Sequence, residues 1–478
     1  MARAVSAANR RWWTLGALTF SLFMICLDNT VVNVALPAIQ HDLHVGLSQL
    51  EWTINSYTLA FAVLLLLGGK LADYLGRRRV FLAGLAIFAG SSLACGLATS
   101  GGMLIGARAA QGVGSALMMP STLSLITVTF PREERGKAIG IWAAVSVSAL
   151  ALGPLVGGLL IQHASWKWIF LVNVPIGLVG MAIGRAVIPE SRDMSLEQKL
   201  DLAGLAASAA GVCLLTSGLI EANRFGWGSV TIVACFAAGA VALALFVVLE
   251  LRQRLPMLDL DLFRTATVVG ANVVELLIMV VMFGVFFFTS VYLQVVRGYS
   301  PVQTGAMFLP LTCIMVLEAP LAGRLSDRFG SRWLMSTGML VLGIAVLMLS
   351  RVGAHSHFSA ILPAFVVGGI GIGLTLTPAM AAVLGSTPEH KAGVAAGVLD
   401  TFRQVGGALG VAVMGAIVAG TVGGAAPGTM PFATSFVSGY RDALWVGAGA
   451  AFTGSVVSAA LVGRHGPLAV PDVAEASA

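Results

Sequence analysis

The ionisable side chains well inside otherwise apolar runs include Asp28, Arg108, Glu275, Glu318, Asp400 and Arg403. A charge at the centre of a bilayer helix costs about 2.5 to 3.5 kcal/mol on insertion scales, so such a residue faces a cavity or a partner. Asp28 lies near the middle of its run. A carboxyl poised between acid and carboxylate in a low-dielectric setting can exchange a proton for a solute; the competing reading is a structural hydrogen bond with Asn29, Asn33 or a neighbouring helix. Arginine keeps its charge at any working pH, so Arg108 needs an anion or several carbonyls. It either biases a nearby carboxyl towards ionisation or braces two helices, and Gln111, one turn away, can share its hydrogen bonds. Asp400 and Arg403 are three apart, share a helix face and are expected to form a local ion pair. Glu318, followed by Ala319 and Pro320, and Glu275, placed where a connector arginine could reach it, are candidate carboxylates for a cationic solute. Phe287 and Tyr292, on the run that holds Glu275, and Met118 are candidate apolar contacts; the competing reading is plain packing.

The elements that position these groups are membrane spans. Of 478 residues, 57% are hydrophobic and 10% charged, against roughly 45 to 50% and 25% in soluble domains. A span needs about 20 apolar residues. Such stretches fall near 13–38, 49–73, 79–99, 102–127, 137–162, 166–188, 202–221, 228–251, 266–296, 303–325, 332–350, 358–385, 393–422 and 441–463. The result is an all-α integral membrane protein of 14 spans, with no extramembrane stretch long enough for a further domain.

The net charge of +6 does not point to nucleic acid, because the basic residues sit in short connectors. An amino terminus on the cytoplasmic side puts 21 Lys and Arg at inner ends and five (Lys167, Arg224, Arg297, Arg351 and Arg441) outside. The positive-inside rule then places both termini in the cytoplasm. The five cysteines are odd in number, lie within apolar runs and are expected in the core. No Gly-x-x-x-x-Gly-Lys-Ser/Thr loop occurs, and the histidines show no metal spacing. No cofactor and no metal are expected, and the energy for any transport would come from a gradient, about 2.3 kcal/mol per charge per 100 mV.

The chain contains itself twice. Gly69-Lys70-Leu71-Ala72-Asp73-Tyr74-Leu75-Gly76-Arg77-Arg78 returns as Gly323-Arg324-Leu325-Ser326-Asp327-Arg328-Phe329-Gly330-Ser331-Arg332, an offset of 254, and Gly153 and Gly410 match at 257. The repeat pairs span 2 with span 10 and leaves spans 7 and 8 as an insertion between two six-helix halves. Two such halves around a central cavity form a transporter arrangement. The divisions expected are 1–190 for the first half, 191–255 for the insertion, 256–465 for the second half and 466–478 for a disordered cytoplasmic tail.

Four stretches carry a resemblance to a known family: Leu27-Asp28-Asn29-Thr30-Val31-Val32-Asn33-Val34-Ala35-Leu36-Pro37, the Gly69–Arg79 loop, Arg108-Ala109-Ala110-Gln111-Gly112, and Leu152-Gly153-Pro154-Leu155-Val156-Gly157-Gly158. Together with Trp166–Pro175 and Arg403–Gly407 they resemble the major facilitator superfamily, and within it the fourteen-span bacterial drug:proton antiporters. The resemblance implies alternating access and export of lipophilic, cationic drugs from the cytoplasmic membrane by a monomeric, non-enzymatic carrier. It ties Arg108 to proton coupling, beside the mid-depth acid Asp28 as the candidate proton site. Relatives commonly carry small apolar residues around Glu318 and a neutral residue where Asp400 stands, although some drug antiporters have an acid on the span of Glu318; Glu318, Asp400 and Glu275 are therefore substrate candidates by their own charge and position. The resemblance assigns Gly69, Asp73, Arg77 and the copy Asp327 to a conformational latch, and Gly153, Pro154 and Gly157 to the fifth-span antiporter motif. A narrow exporter of one antibiotic or metabolite, and a non-transporting sensor on the same fold, remain alternatives.

Overall fold

A computed structural model describes residues 7–192, 201–253, 260–387, 392–423 and 429–463. The expected tail at 466–478 lies outside the described residues, as do Lys199, Arg254 and Lys391. The described residues form fifteen α-helices: α1 Ala7–Leu43, α2 Leu47–Leu75, α3 Arg77–Gly96, α4 Gly101–Thr129, α5 Arg132–His163, α6 Trp168–Leu171, α7 Asn173–Val187, α8 Leu202–Phe225, α9 Val230–Arg252, α10 Ala266–Val291, α11 Pro301–Phe329, α12 Ser331–Leu349, α13 Phe358–Gly385, α14 Ala392–Val422 and α15 Met430–Leu461. Among them, thirteen spans are long and apolar enough to cross a membrane, with α6 and α7 counted as one. Helix α5 supplies two shorter apolar stretches, Lys137–Ser146 and Leu152–His163.

Local chemistry sets the ends. The Ser100, Ser229 and Thr429 hydroxyls cap α4, α9 and α15 by accepting from the backbone N–H three residues on. Ser300 and Gln303 form a reciprocal capping box at α11, with Pro301 in the first turn, where its missing N–H costs nothing. Sequence reading starts the last span at 441, but α15 begins at Met430. Arg441 lies inside the helix, and its Nε donates to the Ser350 carbonyl at 2.9 Å. The expected sixth span is broken at Val172, where Pro175 has no N–H to offer the Leu171 carbonyl.

The repeat is physical. Gly76 ends α2 at φ 111° and Gly330 ends α11 at φ 81°, a backbone region open to glycine and strained for other residues. Each glycine reverses the chain into the next helix. The correspondence continues inside the bundle. A Cβ on Gly84 of α3 would lie 2.8 Å from the Gly114 carbonyl of α4, and one on Gly338 of α12 would lie 2.8 Å from the Gly371 carbonyl of α13. Gly153 of α5 packs on Thr30 of α1, and its counterpart Gly410 of α14 packs on Val280 of α10.

Helix α2 packs on α4, α3 on α4 and α7, and α1 on α5; in the second group α10 packs on α14 and α15, and α12 on α13 and α15. The groups meet along three seams, α1 with α10, α2 with α14, and α5 with α11. Helices α8 and α9 pair with each other, and α8 lies against both α2 and α14. Cys26 and Cys95 are buried as expected for core cysteines, but Cys313 is exposed. It belongs to an exposed stripe of α11 with Leu317 and Leu321, which the sequence does not mark because exposed and core-facing positions of a span are equally apolar.

Gly371→Ala places a Cβ 2.6 Å from the Leu342 amide and 2.7 Å from the Gly338 carbonyl; both are backbone, so the variant should lose about 1 to 3 kcal/mol. Gly90→Ala meets nothing within 4 Å and should lose none. Thermal melting in detergent compares the two.

Candidate functional site

The interior of the first group is built around one ion pair. Arg108 of α4 and Asp28 of α1 are each 1% exposed. Arg108 Nη1 donates to Asp28 Oδ2 and, at 2.7 Å, to Gln111 Oε1, while its Nε donates to the Thr53 carbonyl of α2 at 3.1 Å. Gln111 Nε2 donates to Asp28 Oδ1 at 2.9 Å and to Ser92 Oγ of α3 at 2.7 Å. Asn173 of α7 closes the ring with bonds of 3.4 Å to Asp28 Oδ1 and 3.3 Å to Ser92 Oγ. The guanidinium lies 4.2 Å over the Tyr57 ring, within cation–π range, and the Tyr57 hydroxyl bonds Ser115 at 2.9 Å. Five helices thus share one ionised pair. Asn29 and Asn33, the partners considered for Asp28, do not contribute; Asn33 donates to the Asn29 and Thr30 carbonyls of its own helix. Sequence reading missed Asn173, Ser92 and Tyr57, although Asn173 stands within the quoted Trp166–Pro175 stretch.

The second group holds two carboxylates on one arginine. Arg403 of α14 pairs through Nε with Glu275 of α10 and through Nη1 with Asp400 at 3.1 Å. Among the described residues the partner of Glu275 is Arg403 and not a connector arginine, because α14 packs along α10 and delivers Arg403 to it. Glu275 Oε2 is buried and has no hydrogen-bond partner among the described residues. Asp400 and Arg403 also lie within electrostatic reach of Cys26 on α1, so the cluster faces the other group. Fully ionised, it carries one excess negative charge. Glu318 is elsewhere, half-buried between α11 and α13, where a Cβ on Gly373 would come within 2.8 Å of its Oε2.

Between the groups lies a cavity of about 20 Å³, room for a water molecule. Thr30 and Asn33 of α1, Phe283 and Phe286 of α10, and Thr312 and Met315 of α11 line it. Among the described residues, Asn33 Oδ1 is buried there without a partner. Above it, Ser290 Oγ donates to the Asn33 carbonyl at 2.7 Å and Gln294 Nε2 to the Val34 carbonyl at 2.9 Å. None of the three candidate apolar contacts lines this cavity. Phe287 is fully buried against Phe288, and Tyr292 stacks on Tyr440 at 5.9 Å and donates to the Gly353 carbonyl. Met118 is packed against α3 at Gly84. Two neighbouring aromatics of the same helix, Phe283 and Phe286, hold the place expected of them.

The Major Facilitator Superfamily profile matches residues 18–411 and 319–477. The chain belongs to that superfamily. It is 37% identical over 458 residues to the tetracenomycin C resistance and export protein of Streptomyces glaucescens, covering 96% of this chain and 85% of that one. It is 37% identical to the puromycin resistance protein of Streptomyces alboniger, covering 95% and 92%, and 36% identical to the multidrug efflux pump LfrA of Mycolicibacterium smegmatis, covering 86% and 81%. A bacterial homologue of the human lysosomal transporter Spinster, in an inward-facing and unoccupied conformation, superposes with a TM-score of 0.67 at 18% identity, covering 94% of this chain and 96% of that one. That likeness is one of fold.

The superfamily's loop between the second and third spans is tied here to its own group. Arg77 bonds Asp73 at 2.9 Å, and the Arg77 amide donates to the Ser191 carbonyl at 2.9 Å. Glu190 accepts from the Arg78 amide at 3.2 Å and lies 3.6 Å from Arg79 Nε. Gly69 faces Pro120 of α4. The side chain of Asp327 lies outside the described residues. In the fifth-span stretch Leu152–Gly158, Gly153 and Gly157 face α1, while the Pro154 carbonyl faces Gly305 of α11.

Arg108→Gln strands a buried carboxylate and should cost about 3 to 5 kcal/mol. Adding Asp28→Asn should restore part of the loss, read as melting temperature in detergent.

Proposed function

We propose that this chain is a proton-driven exporter of lipophilic, cationic antimicrobials in a bacterial cytoplasmic membrane, of the fourteen-span antiporter type, with α5 as the fourteenth span. The two helix groups are the moving halves, 1–190 and 256–465. Residues 191–255 are the insertion, and both termini are cytoplasmic. The observation that carries this reading is the dry Asp28–Arg108 pair, in a chain whose relatives bear the names of resistance and export proteins. A proton added to Asp28 cancels the anion that Arg108 requires, and no second carboxylate in the network replaces it. Protonation at this one atom therefore reorganises the packing of α1 against α4, the kind of step that couples a gradient to a change of state. The excess negative charge around Arg403 supports a cationic substrate, since a cation can take the vacant Oε2 of Glu275 or compete for Asp400.

A second reading, export of a single antibiotic, is favoured by the relatives named for tetracenomycin C and puromycin. Asp73 and Arg77, with Asp327, serve the switch, Gly153, Pro154 and Gly157 the α1–α5–α11 contact, and Glu318 an outlying substrate contact.

Ethidium efflux from energised cells should collapse on adding a protonophore. Asp28→Asn should lower it at least tenfold while the protein stays folded in the membrane. Protonophore-insensitive efflux, or full activity in Asp28→Asn, would remove proton coupling at this site. Glu275→Gln should weaken cationic substrates more than neutral ones; equal losses in a transport assay would assign Glu275 to folding.

A further inference from the structure

A buried acid on α2, at the contact between the two groups, belongs to neither cluster. Glu51, in the outer third of α2, is 2% exposed. Among the described residues it makes no hydrogen bond and no ion pair. Its carboxyl lies directly on the α14 backbone at Gly415, where a Cβ would come within 2.7 Å of Oε2. The α2–α14 seam joins the two groups, so this acid is enclosed only while the seam is shut.

The facing charges offer no compensation. On α8, Glu221 lies within electrostatic range of Glu51; it accepts from Ser48 Oγ at 2.7 Å and Trp52 Nε1 at 3.3 Å, and Arg224 sits 3.6 Å from its other oxygen. Helix α14 has no ionisable residue between Arg403 and Val422. Arg108 of α4 is committed to Asp28, Thr53 and Gln111. At the outer end of α1, His41 and Asp42 are exposed, and Asp42 accepts from Trp166 and lies 3.9 Å from Lys167. An unpaired carboxylate shut into this seam beside a second acid would cost several kcal/mol. As the neutral acid it fits.

We propose that Glu51 is a gating proton site, which takes a proton from the outer solution and thereby permits α2 and α14 to close. The proton moves from outer water to a carboxylate oxygen of Glu51 and returns to the same side when the seam opens and water re-enters. It is separate from any proton carried through Asp28. The ligand is a proton, and the device keeps the carrier from closing its outer side on an ionised acid. This inference rests on the orientation and the antiport reading above.

The test places nitroxide labels on Gln49→Cys of α2 and Gly420→Cys of α14, both exposed positions, in a background whose five native cysteines are replaced. Distances are read by pulsed dipolar spectroscopy from pH 5 to pH 8 in the reconstituted full chain. With Glu51 intact, the longer-distance population should grow as pH rises. Glu51→Gln should hold the short distance across the range. An unchanged pH response in Glu51→Gln would overturn the proposal. Should the cysteine-free chain not fold, hydrogen–deuterium exchange over residues 47–59 of the native chain and of Glu51→Gln reads the same opening. Protonophore-sensitive efflux in the same samples separates the two ideas. Efflux with no Glu51-dependent opening removes the gate and leaves coupling, whereas Glu51-dependent opening without proton-driven efflux leaves the gate and removes coupling.

Discussion

A guanidinium that cannot shed its charge has been placed where water does not reach, and the first group of helices is arranged around that constraint. Arg108 is 1% exposed. It needs an anion, acceptors for its remaining donors and a polarisable face, and it takes them from Asp28, Gln111, the Thr53 carbonyl and the Tyr57 ring. Asp28, in turn, needs further donors, which Gln111 and Asn173 supply. A network in which each member satisfies another is cooperative, and half-satisfaction is worse than absence. Close packing is its precondition. The glycine crossing of Gly84 and Gly114 brings α3 and α4 near enough for Ser92 to reach Gln111.

The second group solves the same problem differently. It repeats the glycine crossing at Gly338 and Gly371, yet its arginine serves two acids, one of which keeps an oxygen unpaired. One half is balanced and closed, the other overcharged and open to a further cation. The fold is duplicated while the electrostatics are not. On that division rests the proposal above, which gives the proton to one half and the substrate to the other.

Much of this was legible in the sequence, for identifiable reasons. The ten-residue copy announced the duplication, because a chain reversal at positive φ demands glycine, at Gly76 and again at Gly330. The intramembrane charges announced the two clusters, because each is costly without a partner. The orientation of apolar residues was not legible. In a bilayer both faces of a helix are apolar, so nothing distinguished Phe287, which packs, from Phe286, which borders the cavity, or placed Cys313 on an outward face. Neutral polar partners such as Asn173 and Ser92 carry no insertion penalty large enough to draw notice. Glu51 was passed over because it stands near the start of its span, where an acid reads as belonging to a connector.

The inserted pair has a consequence for the route a fat-soluble molecule can take. Helix α8 is fastened to α2 through Glu221 and to α14 through Asn223, which donates to the Ala416 carbonyl. It therefore lies across the α2–α14 seam like a shutter between that seam and the acyl chains. Among the described residues no helix covers the α5–α11 seam in this way, and Leu152, Leu159, Leu317 and Leu321 on its two helices are exposed. A molecule dissolved in the leaflet meets a barred side and an unbarred one, so the carrier has a front and a back within the plane of the membrane.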